Sequence, residues 1–338
     1  MSATGRQRSF ARTVNEVDDA ADFRFDVVSL GEPMYEFSQI PGKAREYHQG
    51  FGGDTMNCAI AAVRQGARVA YVSRVGDDDF GRQLLELWER EGIDASSVRI
   101  DSSAHTAVYF VSHGEHGHTF SYLRKNSAAS CLSKDELPAD ILRATRFLYS
   151  SGITQAISSS ACDAVFKAID TAYSAGAQIV FDANVRPSLW PLERAREIVA
   201  ATIPSTEYFL LSLEDAELLI GSDDPHAILD WCHDAGASVA ILKLGAQGAI
   251  SSERGVRTTV KGFVVRAVDA TGAGDCFAGA LMARLSKGDD LYAAMRYANG
   301  AAALTCTGYG AVDPLPYAQG VFELIGNPGA RPVSTGQG

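Results

Sequence analysis

The segment Asp269-Ala-Thr-Gly-Ala-Gly-Asp275 has the residue types and spacing best suited to chemistry. Gly272 and Gly274 let the backbone approach a ligand closely, and the run CFAGALMARL that follows is typical of a helix, whose N-terminus carries partial positive charge. Such a turn suits a transferring phosphoryl group, with the Asp275 carboxylate placed to accept a proton from a substrate hydroxyl. The alternative is that Asp275 only caps the helix and the glycines form an ordinary turn.

A second Gly-rich junction, GFGGDTMN at 50–57, precedes the predicted helix CAIAAVRQ. Its glycines would let the chain pass close to a small polar ligand, and Asn57 offers both a hydrogen-bond donor and an acceptor. Taken alone this signal is weak, because Gly-Gly before a helix is often only a turn.

Polar residues recur where the predicted buried strands end. In open parallel sheets, ligands bind at the carboxyl edge of the strands, so this set indicates a site, although any single member could be an ordinary solvated loop residue. The residues are Glu32, Asp182, Asn184, Arg186, Ser212, Asp215, Lys243, Gly245 and Gly248.

The elements that must position these residues alternate between short β-branched runs and amphipathic helices, the pattern of βαβ units. We expect an α/β fold with a doubly wound, mostly parallel sheet flanked by helices. Its predicted strands begin near Phe25, Ala67, Arg146, Gln178, Tyr208 and Val239.

Two segments break that alternation. From His105, apolar and polar residues alternate with period two around a Gly-rich turn, which predicts an antiparallel hairpin, and another extended piece follows the first strand. We expect residues from about 33–51 and 104–124 to form a small β-sheet lid beside the ligand cleft. The remaining boundaries follow from composition: a domain over 23–325 and mobile tails at 1–22 and 326–338.

Composition excludes several classes of protein. The 338 residues carry 30 Lys and Arg against 41 Asp and Glu, a net charge of −11 that repels nucleic acid and anionic membranes. The six cysteines include no CxxC pair, and we detect neither a signal peptide nor a long apolar segment. We therefore expect a cytoplasmic protein with reduced thiols, whose ligands are small molecules.

Four motifs in this order, GGDTMN, DANVRPSLW, KLGAQGA and DATGAGD, resemble the ribokinase-like, PfkB-type carbohydrate kinases over roughly residues 25–320. More narrowly, GGDTMN, the run FSYLRKNSAA from Phe120 and RPSLW from Arg186 resemble 2-keto-3-deoxygluconate kinases. The resemblance implies ATP-dependent phosphorylation of that sugar acid to its 6-phosphate, with Mg²⁺ on the ATP phosphates. Two alternatives stay open: a kinase for a neutral sugar such as fructose or ribose, and a non-catalytic sugar-sensing protein on the same fold.

The resemblance also implies roles for individual residues. Asp275 matches the catalytic base, and Gly272, Ala273 and Gly274 match the backbone anion hole. Substrate contacts are implied for Gly53, Asp54, Asn57, Tyr109, Tyr122, Arg124, Arg186 and Asp275. The nucleotide side is implied for Asn184, Ser212, Lys243, Gly245, Gly248, Gly272, Gly274 and Asn299.

Guanidinium groups recognise carboxylates by paired hydrogen bonds, so Arg124 and Arg186 suit a sugar acid. Each could instead form an ordinary ion pair, and Tyr109 and Tyr122 could simply pack the hairpin.

The chain also departs from the family pattern. Relatives commonly carry Asn and Glu three residues apart near the fifth strand, where this chain has Ser212 and Asp215. We expect Asp215 to act on Mg²⁺ through water. Some relatives use a monovalent cation beside the anion hole, and Asp269 lies at the matching position. The exposed face of the lid is a candidate homodimer contact.

Overall fold

The computed structural model of the chain describes residues 23–40, 42–43, 45–114 and 117–326, with the side chains of 113–118 left aside. The two predicted tails lie outside these residues, except that Gly326 ends the last helix.

The described residues form strands and helices in the alternating order expected from the sequence. The strands are β1 (Phe25–Leu30), β2 (Met34–Gln39), β3 (Tyr47–Gly52), β4 (Val69–Val72), β5 (Arg74–Gly76), β6 (Arg99–Asp101), β7 (Ala107–Gly114), β8 (Gly117–Leu123), β9 (Thr145–Ser151), β10 (Gln178–Asp182), β11 (Tyr208–Ser212), β12 (Val239–Lys243), β13 (Gly248–Glu253) and β14 (Val256–Lys261). The helices are α1 (Asp54–Arg64), α2 (Asp79–Glu91), α3 (Ala139–Arg143), α4 (Gly152–Ala156), α5 (Ser159–Ser174), α6 (Leu192–Thr202), α7 (Leu213–Ile220), α8 (Pro225–Asp234), α9 (Ala273–Ser286), α10 (Leu291–Thr305) and α11 (Ala318–Gly326).

The main sheet has the strand order β14-β13-β12-β11-β10-β9-β1-β4. Its six strands from β12 to β4 pair in parallel, whereas β13 and β14 add as an antiparallel edge. The chain passes from β1 to one side, at β4, and then returns to the other side, at β9. This reversal opens a crevice at the carboxyl ends of β1 and β9, where ligands of doubly wound sheets bind.

Both faces of the parallel part of the sheet are buried, which explains why its strands are mostly apolar. In β12, for example, Val239 and Ile241 pack with α1, α9 and α10, while Ala240 and Leu242 pack with the helices of the opposite layer. Burial of this kind stabilises the fold by about 25 cal/mol per Å² of apolar surface. The sheet edge is therefore a rigid frame for the polar residues that follow each strand.

The predicted lid is a separate four-stranded sheet in the order β3-β2-β7-β8. The hairpin of β7 and β8 is antiparallel, with Tyr109 opposite Tyr122, and β2 pairs in parallel with β7. An aromatic cluster anchors the lid to α2, since the Tyr35 ring lies 4.8 Å from that of Phe80 and its hydroxyl donates to Gln83 at 2.7 Å. In the described part of the chain, every helix is too short or too polar to cross a bilayer.

Candidate active site

Asp275 lies in the first turn of α9, directly after the glycine turn. Gly272 is the N-cap of this helix with φ +77°, a conformation that glycine adopts without strain, and a Cβ there would lie 2.8 Å from the Ala311 carbonyl oxygen. The amide of Ala273 donates to the Ala270 carbonyl at 3.2 Å, and the helical ladder starts with Cys276 donating to Gly272. The amides of Gly274 and Asp275 thus precede the ladder and are suited to an anion.

The second glycine junction meets the first at Asp275. Gly53, the N-cap of α1, has φ +107°, and a Cβ there would lie only 2.3 Å from the Glu32 carbonyl oxygen. The chain can therefore cross the end of β1 only with glycine at this position. One turn into α1, Asn57 Nδ2 donates to Asp275 Oδ2 at 2.9 Å.

The surroundings of Asp275 make it a better base than a free carboxylate. Burial raises its pKa to about 7, the nearby charges of Asp54 and Asp182 act in the same direction, and the Asn57 hydrogen bond and the Lys243 charge oppose them. A general base with a pKa near the working pH is half ionised and can take a hydroxyl proton.

Asp54 and Asn184 form a second link across the crevice. Asn184 Nδ2 donates to Asp54 Oδ2 at 3.0 Å, and both side chains are buried. Asn184 adopts φ +34°, which Asn tolerates better than most residues. The resemblance implies that Asn184 contacts the nucleotide and that Asp54 contacts the sugar. In the structure these two residues contact each other.

Lys243 and Asp182 form an ion pair at the ends of β12 and β10. Asp182 is fully buried and its Oδ1 has no hydrogen-bond partner. The charges of Asp182 and Asp215 raise the pKa of Lys243 although burial opposes this, so the amine is an ammonium group at neutral pH.

The lid tyrosines have different environments. Tyr109 is buried, with its hydroxyl donating to Glu36 and its ring packed against Gly52, where a Cβ would clash. Tyr122 stacks on Tyr109 with ring centroids 5.9 Å apart, yet 44% of it is exposed. Of these two tyrosines, both predicted to contact the substrate, Tyr122 is the more exposed.

Arg124 is held by an acidic residue that follows β1. It forms an ion pair with the buried Glu32 and lies over the Tyr122 ring at 5.5 Å, while Ser127 Oγ donates to the other Glu32 oxygen at 2.7 Å. The Nε of Arg124 is buried without a hydrogen-bond partner. The charge of the Arg124 guanidinium is therefore neutralised by Glu32, while its Nε–H makes no hydrogen bond.

Arg186 is exposed and its Nη1 donates to the Val185 carbonyl at 2.9 Å. Its positive charge acts on the Tyr122 hydroxyl, as does that of Arg124. The structure thus places both predicted arginines near the same lid tyrosine.

The remaining nucleotide-side residues line the opposite part of the sheet edge. Ser212 and Asp215 form a capping box at α7, in which Asp215 accepts from the Ser212 amide and hydroxyl and from Val185 N. Gly248 has φ +102°, and a Cβ built on it would lie 2.1 Å from the Val260 carbonyl oxygen. Gly245 has φ +55°. Asn299 Nδ2 donates to that same carbonyl at 3.1 Å and fixes α10 to β14.

Comparison with known proteins identifies the family. The chain matches the model described as pfkB family carbohydrate kinase over residues 24–318. It is 32% identical to the 2-dehydro-3-deoxygluconokinase of Thermoproteus tenax, over 91% of this chain and 96% of that protein. This chain belongs to the pfkB family of carbohydrate kinases. It is therefore a phosphotransferase, and the prediction of a ribokinase-like fold is confirmed.

Other pfkB relatives are about as similar. Probable fructokinase-4 of Arabidopsis thaliana is 33% identical, over 88% of this chain and 96% of its own length. A putative ribokinase II from E. coli, solved in complex with ATP and Mg²⁺, superposes with a TM-score of 0.82 at 26% identity, covering 89% of this chain and 98% of that one. Membership of the family establishes the kinase chemistry but not which sugar is the phosphoryl acceptor.

Asp269, the first residue of the family's glycine motif, orders two loops. Its Oδ1 accepts from the amide and hydroxyl of Thr271, and its Oδ2 accepts from Gly310 N at 3.1 Å. Both carboxylate oxygens are thus used by the chain itself.

Sequence reasoning missed two residues that contact the candidate site, Glu36 and Ser127. It placed Glu32 at the sheet edge but did not predict that Glu32 would pair with Arg124. A signal for Glu36 exists, because this charged residue lies on the same period-two face of β2 as the apolar Met34. Ser127 and Glu32 lie 95 residues apart, and no local pattern relates them.

Proposed function

We propose that this enzyme transfers the γ-phosphoryl group of ATP to the terminal hydroxyl of 2-keto-3-deoxygluconate, also named 2-dehydro-3-deoxygluconate. The observation that carries the proposal is the joint placement of Asp275 at the α9 N-terminus and of Arg124 and Arg186 beside the lid tyrosine Tyr122. A base and an anion-binding turn suit phosphoryl transfer to any sugar, whereas two guanidinium groups suit a sugar that carries a carboxylate. The similarity to a 2-dehydro-3-deoxygluconokinase supports the choice.

The reaction uses the groups at the two helix starts. The sugar hydroxyl gives its proton to the Asp275 carboxylate while its oxygen forms a bond to the γ-phosphorus. The bond from that phosphorus to the bridging oxygen breaks, and the electron pair leaves with ADP. The amides of Gly274 and Asp275 stabilise the charge on the phosphoryl oxygens in the transition state.

Arg186 is the better placed of the two arginines to bind the sugar carboxylate. A guanidinium has five N–H donors, and the Val185 carbonyl uses one of those on Arg186. Because the side chain is exposed at the cleft edge, it can reorient toward a ligand. Arg124, held in place by Glu32, would contribute its positive charge.

Closure of the lid over the sugar would exclude water and protect ATP from hydrolysis. Tyr122 is the lid residue that would meet the sugar first, because Tyr109 lies behind it against Gly52. The aromatic anchor to α2 gives the lid a fixed base about which such a movement can occur.

The residues present fit a divalent cation that is held mainly by phosphates. Among the described residues, no three metal-ligating side chains converge, which suits Mg²⁺ bound through ATP and water. When bound, Mg²⁺ neutralises charge on the phosphate oxygens. Asp215 would orient its water, and Asp182, with one unpartnered buried oxygen, lies on the same edge. From the family resemblance we also propose that a monovalent cation binds near Asp269.

A neutral-sugar kinase is the second candidate function, and the pairing of Glu32 with Arg124 favours it. A guanidinium already neutralised by a buried carboxylate attracts a second carboxylate less strongly. Similarity to a plant fructokinase at 33% identity agrees with this alternative.

Purified enzyme with ATP, Mg²⁺ and a panel of sugars tests the proposal through ADP release. The panel contains 2-keto-3-deoxygluconate, its galactonate-derived epimer, fructose and ribose, and ³¹P and ¹³C spectra of the product locate the phosphate. We expect fastest turnover of a keto-deoxy acid, with phosphate on the terminal carbon. Turnover no faster than that of fructose or ribose would reject the sugar-acid assignment and favour the neutral-sugar alternative.

We further propose that the lid forms a homodimer contact in solution. Several of its large apolar side chains are at least 38% exposed, among them Tyr47, Phe120 and Leu123. Light scattering on the full chain would show a dimer, and Leu123→Glu should convert it to a monomer. A wild-type monomer at micromolar concentration would contradict this contact.

A further inference from the structure

The ion pair of Lys243 and Asp182 spans the sheet edge between β12 and β10, with β11 between them. The Asp182 side chain is completely buried, and that of Lys243 is 16% exposed. A buried ion pair contributes little net stability compared with apolar residues of similar size, because both charges must be desolvated. Its presence at this edge therefore needs a reason other than folding.

The Lys243 ammonium lies directly against the glycine turn. A Cβ built on Gly274 would be 3.3 Å from Lys243 Nζ, and no other atom outside this turn and helix lies within 4 Å of that position. The side chain thus covers the same turn whose amides precede the α9 ladder. Glycine at 274 leaves the space that the ammonium needs.

The charges around Lys243 exceed what an ion pair requires. Asp182 contacts its ammonium directly, and the charges of Asp215 and Asp275 also act on it, so one cation is the counter-charge of three carboxylates. An anionic phosphoryl group entering this cluster needs positive charge, and among these side chains Lys243 alone supplies it.

We propose that Lys243 is a catalytic residue whose ammonium contacts the transferring phosphoryl group at the Gly272–Asp275 turn, and that Asp182 is the positioning residue that holds it there. The proposal rests on the kinase activity of the family and is independent of which sugar is the acceptor. It assigns Lys243 to the reacting atoms, whereas resemblance alone placed it among the nucleotide contacts.

Lys243 would stabilise charge that develops during transfer. The oxygens of the transferring group carry that charge as the new O–P bond forms and the bond to ADP breaks, while the proton goes to Asp275. The ammonium keeps its own protons throughout. Because its position is fixed before the reaction, no reorganisation opposes the gain.

Lys243→Met removes the charge and keeps an unbranched side chain, and Asp182→Asn removes the anchor and keeps the shape. For Lys243→Met we expect kcat to fall about 100- to 1000-fold with the KM for ATP changed little, the pattern of a lost transition-state interaction. The kcat of Asp182→Asn should lie between that of Lys243→Met and that of the wild type. The acceptor is whichever panel sugar the wild type phosphorylates fastest, so failure of the sugar-acid proposal leaves this test intact.

Two further readouts separate catalysis from a structural role. Calorimetry should show that Lys243→Met binds ADP with aluminium fluoride and the acceptor far more weakly than the wild type, but binds ADP alone normally. For Lys243→Ala, added ethylammonium should restore part of the lost kcat. A folded Lys243→Met enzyme with kcat within threefold of wild type would overturn the proposal, as would an equal loss of affinity for ADP and for the fluoride complex. Should Lys243→Met fail to fold, the Asp182→Asn enzyme decides by the same two criteria.

Discussion

Asn57 Nδ2 donates to Asp275 Oδ2 at 2.9 Å, so a residue 218 positions earlier in the chain orients the carboxylate that we propose as the catalytic base. The bond joins the N-terminal turns of α1 and α9, each of which follows a glycine with positive φ. These two helix starts bring together the segment predicted for the sugar and the segment predicted for the phosphoryl group.

Replacing Asp275 with Asn should abolish most of the activity while leaving the fold intact. The amide cannot accept the hydroxyl proton, and loss of a general base typically costs 10²- to 10⁴-fold in kcat. Steady-state kinetics with the best acceptor gives the change, and circular dichroism serves as the control for folding. Full activity of Asp275→Asn would show that another group takes the proton.

The pH dependence of kcat/KM should report the ionisation of Asp275 in the free enzyme. With a pKa of about 7, the carboxylate is protonated and inactive in acid, so kcat/KM should rise with pH through a single step near 7. The Asn57 hydrogen bond lowers this pKa, hence Asn57→Ala should move the step to higher pH and reduce activity at pH 6 more than at pH 8.5.

Asp54→Asn is the matched control for that shift. The charge of Asp54 raises the pKa of Asp275, so removing it should move the same step to lower pH. The Asn57 and Asp54 variants therefore shift the profile in opposite directions. Shifts of equal sign would mean that the step belongs to another group.

Gly274→Ala should impair catalysis without unfolding the protein. The new methyl group would lie 3.3 Å from Lys243 Nζ, so the ammonium must move by a few tenths of an ångström. A displacement of about 1 Å at a reacting centre can cost about 100-fold in rate, so this smaller shift should lower kcat by less than that. Gly320→Ala on α11 is the control, since its nearest neighbour would be 3.8 Å away. Equal kcat values for the two variants would show that Gly274 is not part of the anion site.

Arg186→Ala should discriminate between acidic and neutral sugars. A hydrogen-bonded charge pair contributes about 1.5–3 kcal/mol, so kcat/KM for the keto-deoxy acid should fall roughly 10- to 100-fold. The values for fructose and ribose should stay unchanged. Arg194→Ala, on the exposed side of α6, is the matched control. It should leave kcat/KM unchanged for both the acidic and the neutral sugars. An equal loss for all sugars after Arg186→Ala would indicate a role in folding or lid closure instead.

The main sheet and the lid could be predicted from the sequence because their signals are local. All six predicted strands exist, since a parallel strand buried on both faces is a continuous apolar run, as in VAILK of β12. The hairpin of β7 and β8 exists because its period-two alternation is equally local. The antiparallel edge of β13 and β14 was not predicted, because GAISSE and VRTTVK contain several polar residues and are not continuous apolar runs.

The pairings within the site could not be predicted from spacing. Asn184 contacts Asp54 over a separation of 130 residues, and Tyr109 contacts Glu36 over 73. Such contacts depend on the strand order, which brings β10 and the lid to the start of α1. Residue types at strand ends located the site, and only the topology shows that Arg124 and Tyr109 already have acidic partners.

An internal competition tests the central claim most directly. Equal concentrations of 2-keto-3-deoxygluconate and fructose, supplied together with limiting ATP and Mg²⁺, compete for the same enzyme, and mass spectrometry quantifies the two phosphorylated products. The ratio of products then equals the ratio of the kcat/KM values. We predict that the phosphorylated sugar acid exceeds fructose phosphate by at least about 100-fold, a difference of about 2.7 kcal/mol. A ratio near one, or an excess of fructose phosphate, would contradict the assignment of this enzyme to the sugar acid.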